Sequence, residues 1–162
     1  MKQCYFDIMI RLVPMSPSER LTWFPSMWAA YFEELLGAGF TPEEATLNVA
    51  RNEKALCVDG VPNDDQYVFD VLQGDVKVGI LWLAERKGEG RDNAWFVYDI
   101  IIYETFRGQG LGRGAMLAAE KYVMSRGATT LGLNVFGTNT VARHLYESLG
   151  YKAMAIDMKK AL

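Results

Sequence analysis

The chain has 162 residues, half of them hydrophobic, with a formal net charge of −3. That size suits one domain with a buried core over residues 1–162, and the small negative charge argues against a nucleic-acid partner, which would show a basic patch. No apolar run approaches the roughly 18 residues a membrane span needs, so no membrane partner is expected.

The opening MKQCYFDIMIRLVPM is interrupted by Asp7 and Arg11, so it reads as neither leader nor anchor. Cys4 and Cys57 are scattered, without CxxC spacing, and read as two buried thiols in a reducing cytoplasm. His144 is the only histidine, and neither cysteine has a partner at ligand spacing, so no metal is expected. His144 itself reads as a helix-surface residue within TVARHLYESLG.

In chain order, FDIMIRL alternates, with Phe6, Ile8, Ile10 and Leu12 on one face, and predicts a first strand. A helix follows, capped by Ser16 or Ser18, broken or kinked at Pro25 and ended by Gly37 and Gly39. TPEEATLNVARNEKAL predicts a second helix, with Thr41 as N-cap, Pro42 at the first position and Glu44 completing a capping box. QYVFDVL and VKVGILWLAE read as strands joined at Gly74 and Asp75, and GEGRDN turns the chain into a long third strand, AWFVYDIIIY. LGRGAMLAAEKYVMSRG then reads as a helix with Leu111, Ala115, Ala118 and Tyr122 on one face. TTLGLNVF is a strand, NTVARHLYESLG a helix and YKAMAIDMKK a closing strand. The expected architecture is α/β (α+β), a mixed sheet flanked by helices in the order β-α-α-β-β-β-α-β-α-β.

ETFRGQGLGRGA, residues 104–115, places four glycines between a strand and a helix. The first N–H groups of a helix lack intrahelical partners, and the helix dipole adds partial positive charge there. Glycines let phosphate oxygens approach that main chain, and Arg107 and Arg113 flank it. A phosphate-bearing ligand is the first reading. A Walker loop is absent, because no Gly-Lys-Ser/Thr follows four spacers. Gly110, Gly112 and Ala115 satisfy the dinucleotide pattern G-x-G-x-x-A, but the region about 20 residues on has no acid to meet a ribose.

Arg107, Gly110 and Gly112 also fit Q/R-x-x-G-x-G/A, and LGLNVFGTNTVARHLYESLGYK carries a strand, asparagine, helix, tyrosine and Gly-Tyr ending. In these features the chain resembles the GCN5-related N-acetyltransferases (GNAT), most strongly over residues 94–152. Members often have a proline shortly before the signature arginine, where this chain has Glu104 and Thr105. The resemblance implies a mostly antiparallel central sheet and an acyltransferase using acetyl-CoA as co-substrate. It implies that Arg107, Gly108, Gln109, Gly110, Leu111, Gly112 and Arg113 hold the pyrophosphate. Backbone groups of Ile100, Ile101 and Ile102, on a strand splayed from its neighbour, would bond the pantetheine arm and thioester oxygen. Asn139 would contact the same arm, although its position also suits helix capping.

Acetyl transfer to an amine needs a polarised carbonyl, a deprotonated amine and a proton for the departing thiolate. The resemblance assigns Tyr146 as that acid; read alone, Tyr146 is a core residue on one face with Ala142, beside Val141, Leu145 and Leu149. The base is open: Asp99 interrupts an apolar strand, and Glu104, Glu33 and Glu34 are alternatives. Acidic residues between 19 and 65, near Trp23, Trp28, Tyr31 and Phe32, could receive a cationic small-molecule or peptide amine. They equally suit solvated helix faces and an aromatic core. A non-catalytic acyl-CoA-binding module is the alternative function, and a homodimer is an open assembly state.

Overall fold

The computed structural model describes residues 9–58, 61–63, 65–86 and 93–160. Among them the elements are β1 (Ile10–Pro14), α1 (Pro17–Gly37), α2 (Pro42–Leu56), β2 (Cys57–Val58), β3 (Val61–Pro62), β4 (Gln66–Gln73), β5 (Val76–Arg86) and β6 (Ala94–Ile102), then a 3₁₀ turn at Glu104–Phe106, α3 (Leu111–Ser125), β7 (Thr130–Leu133) and α4 (Thr140–Ser148). Five strands form one sheet in the order β1-β4-β5-β6-β7, antiparallel except where β6 meets β7, and β2 and β3 make a separate short hairpin.

Capping chemistry sets the first two helices. Ser16 and Glu19 form a reciprocal capping box on α1, and Thr41 and Glu44 do the same on α2, each with a proline in the first turn. Pro25 does not end α1, which runs through it to Gly37. Phe24, Met27, Trp28 and Leu35 are buried on either side of it, and this packing offsets the backbone bond the proline lacks.

The sheet is covered on both faces. One core cluster joins Val71, Leu81, Leu83 and Val97 to Leu111, Ala115, Met116, Ala119 and Val123 of α3. The other joins Phe24, Met27 and Trp28 of α1 to Val68, Ile80 and Trp82. Trp82 lies at its centre, edge-on to Trp23, Phe24 and Trp28, with its indole N–H donating to the buried Gln66 side chain at 2.8 Å. The aromatic reading of α1 thus resolves mainly toward core. On α3 the buried face is Leu111, Ala115, Met116, Ala119 and Val123, with Ala118 and Tyr122 on its flank.

Ile10 and Leu12 pack on the core as the alternation predicts; Phe6, Ile8, Asp7 and Cys4 lie outside the described residues, as does most of GEGRDN. Cys57 is a buried free thiol, and His144 is exposed on α4. Val141 is exposed, not part of the packed face of α4. The closing strand is also corrected: residues 151–160 form no strand. They leave α4 through Gly150 (φ 95°), and Lys159 pairs with Glu44 on the first turn of α2 at 2.9 Å. Among the described residues no helix is long and apolar enough to cross a membrane, and no group of three or more metal-ligating side chains occurs.

Candidate active site

The site is built where β6 parts from β7. β6 pairs with β7 only from Ala94 to Val97, while its other edge stays bonded to β5 as far as Ile102. A bulge falls here: Trp82 faces Asp99 and Leu83 faces Val97, leaving Tyr98 as the extra residue. Beyond it one edge of β6 is open among the described residues.

Strand parity decides which backbone groups face the opening. The Tyr103 N–H donates to the Val78 carbonyl at 2.9 Å, and a Cβ on Gly79 would collide with the Ile101 carbonyl, so Tyr103 and Ile101 face β5. Ile100 and Ile102, offset by one residue, turn their backbone groups to the open edge. The Ile102 carbonyl indeed accepts from Arg107 Nε at 3.0 Å. Of the three isoleucines, then, Ile101 is occupied by the sheet. Gly79 is a residue sequence reasoning missed, although a glycine inside a strand is itself a signal of close backbone approach.

The glycine loop follows directly. Gly108 and Gly110 adopt φ of 75° and 77°, the left-handed region that favours glycine. Gly110 is the N-cap of α3, and no side chain caps that helix, in contrast to α1 and α2. The first turn of α3 therefore offers N–H groups beside the open edge of β6. Leu111 is buried, so only its backbone is available, and Gln109 reaches back toward the Thr105 carbonyl at 3.4 Å. Arg113 donates to Ser148 Oγ at 2.6 Å, tying α3 to α4. A Cβ on Gly112 would lie 3.4 Å from a Leu145 methyl, an ordinary van der Waals contact, whereas Gly108 faces open space.

Opposite the loop lie the titratable groups. Burial raises the Asp99 carboxyl from its ordinary 3.8 to about 7, with the negative charge of Glu34 adding to the rise and a hydrogen bond from the Ile100 backbone opposing it. Glu34, on α1, is itself raised by burial even though much of its side chain meets solvent. Tyr146 on α4 is 8% exposed; burial raises its phenol, and the charge of Asp99 raises it further. Asp99 thus sits within electrostatic reach of both Glu34 and Tyr146, which come from two other elements. Glu33 and Glu104 are exposed.

A crevice of about 390 Å³ opens beside this group, lined by Glu34, Gly37, Phe136, Thr138 and Asn139. Tyr31 stacks on Phe136, one of the lining residues, at 6.3 Å. Asn139 Oδ1 accepts from the Ala142 N–H at 3.1 Å, so its capping role is realised while the residue still borders the crevice. Phe136 and Thr138 went unnoticed in the sequence because neither type marks a site on its own.

The sequence profile of the acetyltransferase (GNAT) family matches residues 24–151, from α1 to just past α4. The chain belongs to the GNAT family. It is 31% identical over 156 residues to the uncharacterized N-acetyltransferase YycN of Bacillus subtilis, covering 94% of this chain and 99% of that protein. The crystal structure of YycN superposes with a TM-score of 0.83 at 30% identity, over 95% of this chain and 99% of that one. A mycothiol acetyltransferase of Rhodococcus erythropolis is 39% identical over 88 residues, covering 54% of this chain and 29% of that longer protein. The protein is thus an acetyltransferase, and GNAT enzymes use acetyl-CoA as co-substrate.

Proposed function

We propose that the protein transfers an acetyl group from acetyl-CoA to a primary amine by direct attack within a ternary complex. The observation that carries this reading is the pairing, at the open end of β6, of a carboxyl near pKa 7 with a buried tyrosine. An alkylammonium of pKa about 10.4 cannot attack a carbonyl until it loses a proton. Asp99, half-ionised near neutral pH, is matched to accept that proton, directly or through one water. Tyr146, with its phenol raised, stays protonated at neutral pH and can donate to the departing sulfur.

Acetyl-CoA supplies an activated thioester, and the residues present fit such a ligand. The uncapped first turn of α3 and the left-handed Gly108 and Gly110 suit its pyrophosphate, with Arg107 beside them. The Ile100 carbonyl and the Ile102 N–H, turned to the open edge of β6, suit an extended amide-bearing arm, in the manner of strand addition. Asn139 and the crevice beside Glu34 border the approach of the acceptor, and the carboxylates with Tyr31 and Phe136 favour a cation there. The amine is a small molecule or a peptide, and the setting a reducing cytoplasm.

The test is release of coenzyme A over a panel of polyamines, amino sugars, amino acids and peptides. Amine-dependent release supports the reading. Acetyl-CoA binding with no release on any amine overturns it in favour of a binding module.

A further inference from the structure

The crevice beside Asp99 has two walls, the last turns of α1 with Glu34 and Gly37, and the loop between β7 and α4 with Phe136, Thr138 and Asn139. Its lining holds one charged side chain, Glu34, and no cation. Among the described residues Glu34 makes no ion pair, whereas Glu44, Asp70 and Glu147 each face a lysine or arginine. Phe136 adds an aromatic ring to the same lining, stacked by Tyr31 from the turn of α1 that precedes Glu34. Arg51, the cation whose charge reaches Tyr31, is bonded to Asn48 of α2. A free carboxylate and an aromatic ring on one crevice suit an alkylammonium. Asp99 cannot keep such a charge in place, because the proton it accepts from the reacting nitrogen leaves it neutral. Glu34 takes no part in that transfer and keeps its charge.

We infer that the acceptor is an α,ω-diamine or polyamine, its reacting nitrogen at Asp99 and its second ammonium at Glu34 against Phe136, an inference that rests on the transfer reading above. The reacting ammonium gives one proton to Asp99. Its nitrogen then bonds the acetyl carbon as the carbon–sulfur bond breaks, Tyr146 protonates the sulfur, and the second proton leaving the nitrogen restores Tyr146. The products are an acetamide, coenzyme A and protonated Asp99, while the second ammonium is unchanged at Glu34. Glu34 thus determines specificity by reading the end of the acceptor that does not react. A monoamine leaves this carboxylate unpaired, and an acceptor with a carboxylate at its far end brings like charge against it. An ion pair at an exposed carboxylate and a cation–π contact together favour the diamine by about tenfold.

The test compares coenzyme A release on diaminobutane, butylamine and γ-aminobutanoate, whose far ends are positive, neutral and negative, and repeats the series with longer chains. In the unaltered protein kcat/KM should fall in that order by about tenfold per step. The steps should shrink as salt is raised, because Glu34 meets solvent. In Glu34→Gln the diamine should lose its lead over the monoamine. In Glu34→Lys the order should invert, with the amino acid ahead of the diamine. Glu34 is exposed, so both variants should keep the fold, which circular dichroism checks. Release on these amines with no preference for the diamine at any length overturns the inference and leaves the transfer reading standing. So does a preference that survives in either variant. No release on any amine overturns both.

Discussion

Replacing Asp99 by asparagine should stabilise the protein while removing its activity. Asp99 has a folded pKa of about 7 against an ordinary 3.8, so the folded state binds its proton more tightly than the unfolded chain does. The raised value therefore costs nothing below pH 3.8, costs stability progressively as pH rises to 7, and costs a constant amount above. At about 1.4 kcal/mol per pH unit the full cost is at most about 4 kcal/mol. Asparagine keeps the shape and an oxygen to accept from the Ile100 backbone but carries no charge. At pH 8 the variant should gain up to that amount, a rise in Tm of roughly 10 °C for a chain of this size. At pH 4 the gain should nearly vanish. Differential scanning calorimetry at the two pH values measures both, alongside coenzyme A release. A gain equal at pH 4 and pH 8, or none at either, would refute the claim that the Asp99 carboxyl is desolvated.

Tyr146→Phe keeps the ring and the packing of α4, so turnover should fall by roughly 10²–10⁴-fold with a much smaller change in KM for acetyl-CoA, read by steady-state kinetics. Gly79→Ala drives a methyl into the Ile101 carbonyl and should lower stability by about 1–3 kcal/mol in urea unfolding, with activity falling as β6 shifts. Gly108→Ala meets no neighbour but must hold φ near 75°, so calorimetry should show weakened acetyl-CoA binding with only about 1 kcal/mol lost in stability.

Much of this was legible in the sequence where local chemistry decides the outcome. The Thr41–Glu44 capping box, a serine cap at the start of α1, the Gly74–Asp75 turn, the open glycine start of α3 and the surface position of His144 follow from short-range rules. What was not legible depends on distant partners. Pro25 stays within α1 because Phe24 and Trp28 find the Trp82 face of the sheet, a contact that helix propensity does not contain. Residues 151–160 have a strand's pattern, but they form no strand, and Lys159 pairs with Glu44 on α2 instead. At the site, Asp99 was visible as a charge within an apolar strand, whereas Glu34 was one acid among many on α1 until the fold brought its charge to bear on Asp99. Ile101 and Gly112 were assigned to the ligand from their places in a motif. Strand parity turns the first toward β5, and a Cβ on the second would make only ordinary contact with Leu145 of α4.

The pH dependence of kcat/KM for coenzyme A release, on an amine from the panel, bears most directly on the proposed proton transfer. With Asp99 as the acceptor, the profile should climb about tenfold per pH unit and bend near pH 7. In Glu34→Gln the like charge is gone while burial remains, so the bend should move to lower pH yet stay above the ordinary carboxylate range. A bend near pH 7 that survives unchanged in Asp99→Asn, or a profile with no bend between pH 5 and 8, would contradict the account.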